Sequence, residues 1–70
     1  MRYAALLEQA ADGTWGGYFP DLPGTAAAGY ASAEEARTSL AEVLAMHVTG
    51  MREDGLALPK PSRVEMLEIG

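Results

Sequence analysis

The sequence predicts an α+β fold of order β-β-β-α-β, in which an antiparallel three-stranded sheet carries one helix on one face and a short C-terminal strand follows. Three observations carry that expectation: an Asp12-Gly13 pair between apolar stretches, the rigid segment Pro20-Asp21-Leu22-Pro23-Gly24, and a capped amphipathic helix opening at Ser32. Each marks a boundary.

Residues Met1 to Ala11 place Tyr3, Ala5 and Leu7 on one alternation face and Ala4, Leu6 and Ala10 on the other. Apolar residues on both faces predict a central strand, not an edge. Asp12-Gly13 then supplies the positive φ that a hairpin turn needs. Trp15 to Phe19 reads as the second strand, with Trp15, Gly17 and Phe19 facing one way and Gly16 and Tyr18 the other. Aromatic residues suit a half-buried pleat, and adjacent glycines mark a bulge or the close approach of a neighbouring backbone.

Pro20 and Pro23 remove ladder donors and fix φ, so the chain breaks into a stiff loop there. Thr25 to Tyr30 reads as the third strand, although three successive alanines favour a helix on intrinsic propensity. Ser32-Ala33-Glu34-Glu35 has capping-box spacing, and two glutamates in the first turn complement the positive end of the helix dipole. Ala36, Leu40, Val43, Leu44, His47 and Met51 then form one apolar stripe about 100° wide, as a helix lying on a sheet requires. Gly55 sits where a left-handed cap is wanted, and Pro59 and Pro61 prevent resumption. Ser62 to Ile69, with Val64, Met66 and Ile69 among Glu65 and Glu68, reads as a short last strand or an extended tail.

Seventy residues allow one domain, expected to span 1–70. Of the 49% apolar share, thirteen residues are alanines that bury little surface. A chain of this size buries about 60% of its unfolded surface, which places its stability on the order of 4 to 10 kcal/mol. Self-association would add to that. Absent cysteine rules out disulfides and thiolate metal sites and makes the cytoplasm the expected compartment. No apolar run approaches the roughly 20 residues that span a bilayer, and no signal-peptide pattern follows Met1-Arg2. Ten carboxylates against five basic residues give a net charge of −5, which opposes contact with phosphate backbones and favours a basic partner.

Reactive chemistry is sparse. His47 is the only histidine and lies in the apolar stripe, where a lone imidazole reads as a semi-buried packing residue without a positioned nucleophile or orienter. Ser32 is accounted for as a cap, and Gly16-Gly17 lacks phosphate-loop spacing. Two-metal nuclease chemistry wants acids gathered at adjacent strand ends, and the candidates are only Glu8, Asp12 and Asp21. No catalytic residue, metal site or cofactor is expected. What remains is Tyr18 to Gly24, a preorganised loop presenting apolar groups and one acid. It serves either to plug the core with Phe19 and Leu22 or to anchor another chain through Tyr18, Phe19, Asp21 and Leu22.

That loop is one of a series of motifs: Tyr18-Phe19-Pro20-Asp21-Leu22-Pro23-Gly24, Gly29, Ser32 with Glu34-Glu35-Ala36, His47 with Gly50-Met51-Arg52-Glu53-Asp54-Gly55, and Leu58-Pro59-Lys60-Pro61-Ser62. In this order the chain resembles the HicB-like antitoxin family of type II toxin–antitoxin systems over nearly its whole length. The resemblance implies a three-stranded sheet with one helix and a further strand, a reduced RNase H-like layout. It also implies a non-enzymatic, bacterial, cytoplasmic module that binds and blocks a small basic HicA-like toxin, an mRNA-cleaving enzyme, and that self-associates as a dimer or tetramer. Two departures stand out. Full antitoxins carry a C-terminal helix-turn-helix or ribbon-helix-helix segment, whereas this chain ends shortly after Ser62, so direct DNA contact is not expected. The stretch before Ser32 is also one residue longer than the common spacing, and Thr25 stands where many members have cysteine. The alternative function is a stand-alone homo-oligomeric domain of regulatory or structural role with no toxin partner.

Overall fold

In the computed structural model, which describes residues 1–70, the Asp12-Gly13 pair joins β1 (Leu6–Gln9) to β2 (Trp15–Tyr18) as an antiparallel hairpin with Leu7 opposite Gly17. The Ala10 amide donates to the Thr14 carbonyl at 2.7 Å and the Gly13 amide to the Ala10 carbonyl at 2.9 Å, so the loop spans Ala11 to Gly13. Gly13 takes φ +88°, the left-handed position that closes a three-residue hairpin. The Asp12 carboxylate accepts from the amide and hydroxyl of Thr14 at 2.9 and 2.7 Å, an Asx turn that fixes the loop.

After β2 the chain makes two successive turns, each with proline second. The Leu22 amide donates to the Phe19 carbonyl around Pro20-Asp21, and the Thr25 amide donates to the Leu22 carbonyl around Pro23-Gly24. Gly24 has φ +85°, which a type II turn demands of its third residue. Next, β3 (Ala26–Tyr30) pairs antiparallel with β2, completing the order β1-β2-β3. Tyr30 lies opposite Trp15 and Ala27 opposite Gly17, which leaves Ala28 and Gly29 against the single Gly16. This is a bulge, with Gly29 at φ +83°. Strand pairing thus overrides the helical preference of the three alanines.

The helix α1 (Ala33–Glu53) opens and closes on local chemistry. Ser32 Oγ accepts from the Glu35 amide at 3.1 Å, and the Glu35 carboxylate reaches back to the Ala31 amide. At the other end the Gly55 amide donates to the Arg52 carbonyl and the Leu56 amide to the Met51 carbonyl, the paired bonds of a Schellman motif. Ala36 and Leu40 are fully buried, while Val43, Leu44, His47 and Met51 are only half-buried. Leu44 and Met51 pack at the margin of the buried cluster that holds Leu40, which leaves them partly open to solvent.

The core consists of Phe19, Leu22 and Leu40, with Tyr3, Leu7, Ala27, Leu44 and Met51 packed around it. Gly17 makes room for it. A Cβ there would lie 2.9 Å from Leu40 Cδ1 and 2.2 Å from the Leu6 carbonyl oxygen.

Two expectations are corrected. β1 is an edge strand rather than a central one. Its two-sided apolar pattern arises because Leu7 faces the helix while Leu6 is exposed on the uncovered face of the sheet. The C-terminal strand also does not form. Residues 56–70 pair with nothing in the sheet, since Pro59 and Pro61 carry no amide donors and the segment is held only at isolated points.

Gly17→Ala should lower the unfolding free energy by about 1 to 3 kcal/mol through overpacking against fixed backbone. Gly50→Ala, on the helix with open space at its Cβ, should raise it by roughly 0.5 to 1 kcal/mol. Urea denaturation of both variants checks the pair of signs.

Candidate functional site

The loop from Tyr18 to Gly24 is the most preorganised exposed segment of the chain, because two hydrogen-bonded turns and two prolines leave it few conformations. The four residues singled out in it separate by environment. Phe19 is 5% exposed and Leu22 1%, so both point inward and leave little side-chain surface for a partner. Tyr18 is 39% exposed and lies on the open face of the sheet. Asp21 is half-buried.

Asp21 has a specific occupation. Its two carboxylate oxygens accept from the Ser62 amide at 2.8 Å and the Ser62 hydroxyl at 2.5 Å. The hydroxyl and amide of Ser62 hold the Asp21 carboxyl below the usual carboxylate range, because both bonds favour the ionised form. A second tie lies nearby, where the Tyr3 hydroxyl donates to the Pro59 carbonyl. Together they fasten Pro59-Lys60-Pro61-Ser62 across the body of the protein. Beneath the loop, the buried Thr25 hydroxyl donates to the Leu22 carbonyl at 2.6 Å, so the second turn is closed twice.

Ser62 is the partner of the candidate loop that sequence reasoning misses. Spacing along the chain carries no signal for a pair 41 residues apart. The available clue is compositional: a lone acid in a rigid loop, and a Pro-Lys-Pro-Ser exit rich in groups that cannot join a ladder.

Two shallow grooves flank Tyr18. One, of about 410 Å³, runs along the loop between Phe19 and Ala26. The other, of about 380 Å³, lies on the open face of the sheet over Gly16, Ala26 and Ala28. The acids disperse instead of converging. Asp12 is bound by Thr14, whose hydroxyl and amide hold its carboxyl low, while Asp21 is bound by Ser62. No three of the His, Asp and Glu side chains gather as ligands to one metal ion would. The sole ion pair is Arg63–Glu65 at 2.7 Å between two exposed side chains, a class of contact worth little. Most of the acidic excess therefore faces solvent unpaired. No helix is long and apolar enough to cross a membrane.

A family model described as a HicB-like antitoxin of a bacterial toxin–antitoxin system matches residues 3–69. Among curated proteins and among solved structures, none matches the chain.

The Asp21–Ser62 contact predicts a non-additive pair. Asp21→Asn and Ser62→Ala should each destabilise the fold, and the double variant should lose little more than either single one. The pH dependence has a definite sign. Because the native carboxyl is held low, its stabilisation is complete above the ordinary carboxylate pKa and disappears as pH falls through the lowered value. Thermal melts between pH 6 and pH 2 should therefore show a smaller acid-induced decline for Asp21→Asn than for the parent, with the residual decline including Asp12.

Proposed function

Because the chain belongs to the HicB-like antitoxin family of bacterial toxin–antitoxin systems, we propose that it neutralises a small basic HicA-like toxin, an mRNA-cleaving enzyme, by covering that enzyme's active site. The family match over residues 3–69 carries the reading. The net charge of −5 supports it independently, since complementary charge accelerates encounter with a basic partner and discourages others. The module acts by binding and catalyses nothing, and its place of action is the cytoplasm, where messenger RNA is found.

Within the proposed interface Tyr18 is the direct contact. It is the one large aromatic of the loop that projects outward, and it borders both grooves. Phe19 and Leu22 serve the same surface from below by seating the loop in the core, and Asp21 serves it by tying the loop to Ser62. Anchors of this kind bind well because the backbone presenting them is ordered beforehand. A second reading, a homo-oligomeric domain with no toxin partner, is favoured by the exposed apolar side chains near the C-terminus.

Co-expression with the short basic protein encoded beside it should relieve growth arrest and yield a co-purifying complex. Association should slow as salt rises. Tyr18→Ala should weaken the complex roughly tenfold or more with the fold intact. A neighbouring product that is toxic alone yet forms no complex would sink the antitoxin reading, and unchanged affinity of Tyr18→Ala would move the contact elsewhere.

A further inference from the structure

The helix covers the sheet on one face only. Leu7 and Ala27 pack on the helix side, so alternation puts Glu8 of β1, Gly16 and Tyr18 of β2, and Ala26 and Ala28 of β3 on the open face. All five border the groove of about 380 Å³ there. Its floor is bare at Gly16 for a steric reason, since a Cβ would run into the Ala27 carbonyl oxygen where β3 bulges. The methyl groups of Ala26 and Ala28 lie on one side of that floor and Glu8 on the other.

Glu8 is the only charged residue of the groove, and it is exposed. No basic side chain of the chain pairs with it, because the one ion pair joins Arg63 to Glu65. The second groove, along the loop, has no charged lining residue and so offers a cation no counter-charge. Glu8 lies opposite Gly16 in the hairpin, which makes Tyr18 its diagonal neighbour. Backbone positions so related stand about 7 to 8 Å apart. That gap admits one flat cation touching both side chains.

We infer that this groove receives a single arginine side chain from the basic partner. The Glu8 carboxylate accepts two guanidinium N–H donors, the Tyr18 ring stacks on the guanidinium face, and the methylenes of the arginine lie over Gly16, Ala26 and Ala28. Arginine fits better than lysine, because a guanidinium is planar and weakly hydrated, whereas an ammonium is a strongly hydrated point charge that loses more on entering an apolar groove. The net charge of −5 draws such a partner in. The inference rests on the antitoxin reading for the source of the arginine and on the groove for its recognition.

The groove is tested on the full chain with a tri-arginine and a tri-lysine peptide, followed by amide chemical shifts. The arginine peptide should bind more tightly and move the Gly16 and Ala28 amides most. Glu8→Gln should weaken it about fivefold, while Glu42→Gln, which removes the same charge from an exposed position on the helix, should not. Tyr18→Phe should bind like the parent and Tyr18→Leu should not, since the ring face is the contact and not the hydroxyl or the apolar area alone. Equal affinity for the two peptides, equal effects of Glu8→Gln and Glu42→Gln, or full binding by Tyr18→Leu would each overturn the inference. The complex with the neighbouring basic protein separates the two claims. If it forms and Glu8→Gln leaves its affinity unchanged, the arginine site falls and the antitoxin reading stands; if the arginine peptide seats as described and no such complex forms, the antitoxin reading falls and the groove stands.

Discussion

The close approach of Leu40 to the backbone at Gly17 is the contact on which the rest of the structure depends. With no side chain at Gly17, the helix settles directly on β2, and Leu40 joins Phe19 and Leu22 in a core whose three members are almost wholly buried. A Cβ at that position would collide with the Leu6 carbonyl and with Leu40 together, so hairpin spacing and helix height are set by the same absent atom. The neighbouring Gly16 lies equally close to the backbone of β3, where a Cβ would meet the Ala27 carbonyl oxygen, and the two glycines together let three strands and a helix pack into a body of least dimension 16 Å.

Elements governed by near neighbours in the chain were readable from the residues. The cap at Ser32, the left-handed close at Gly55 and the turns at Pro20 and Pro23 each follow from side-chain or φ chemistry acting over three or four positions. Their strength is local, so their sequence signature is local. The position of β1 at an edge was not readable, because its apolar residues fall on both faces whether the second face is covered or open. Nor was the fate of residues 62–69: alternation predicts that a segment is fit to be a strand but says nothing of whether a partner lies within reach. The candidate loop was half legible. Its rigidity follows from its prolines, and the inward turn of Phe19 and Leu22 was one of two readings the residues permitted, while the Asp21–Ser62 bonds needed the fold to bring distant positions together.

The fate of the acids links this small fold to a role in binding. Asp12 and Asp21 are spent in hydrogen bonds that shape loops, and the other carboxylates lie on exposed residues with one short ion pair among them. A surface of this kind produces a sustained negative field and few fixed charge contacts, which suits attraction of a basic protein more than the gathering of reacting groups. The family to which the chain belongs is one of antitoxins of bacterial toxin–antitoxin systems, and the proposed role would draw on the field and the rigid loop.

The Asp21–Ser62 bonds give these features a common mechanical origin. They run from the middle of the loop that carries Tyr18 to the point where the apolar tail departs, so the loop cannot shift without moving the root of the tail. A core of three large side chains leaves little stability in reserve, and in such a body a tie between segments 41 positions apart constrains far more of the chain than the same tie would within one element. One carboxylate thus joins the exposed loop, already stiffened by its two turns and two prolines, to the exit of the tail, and both of its hydrogen bonds favour its ionised form.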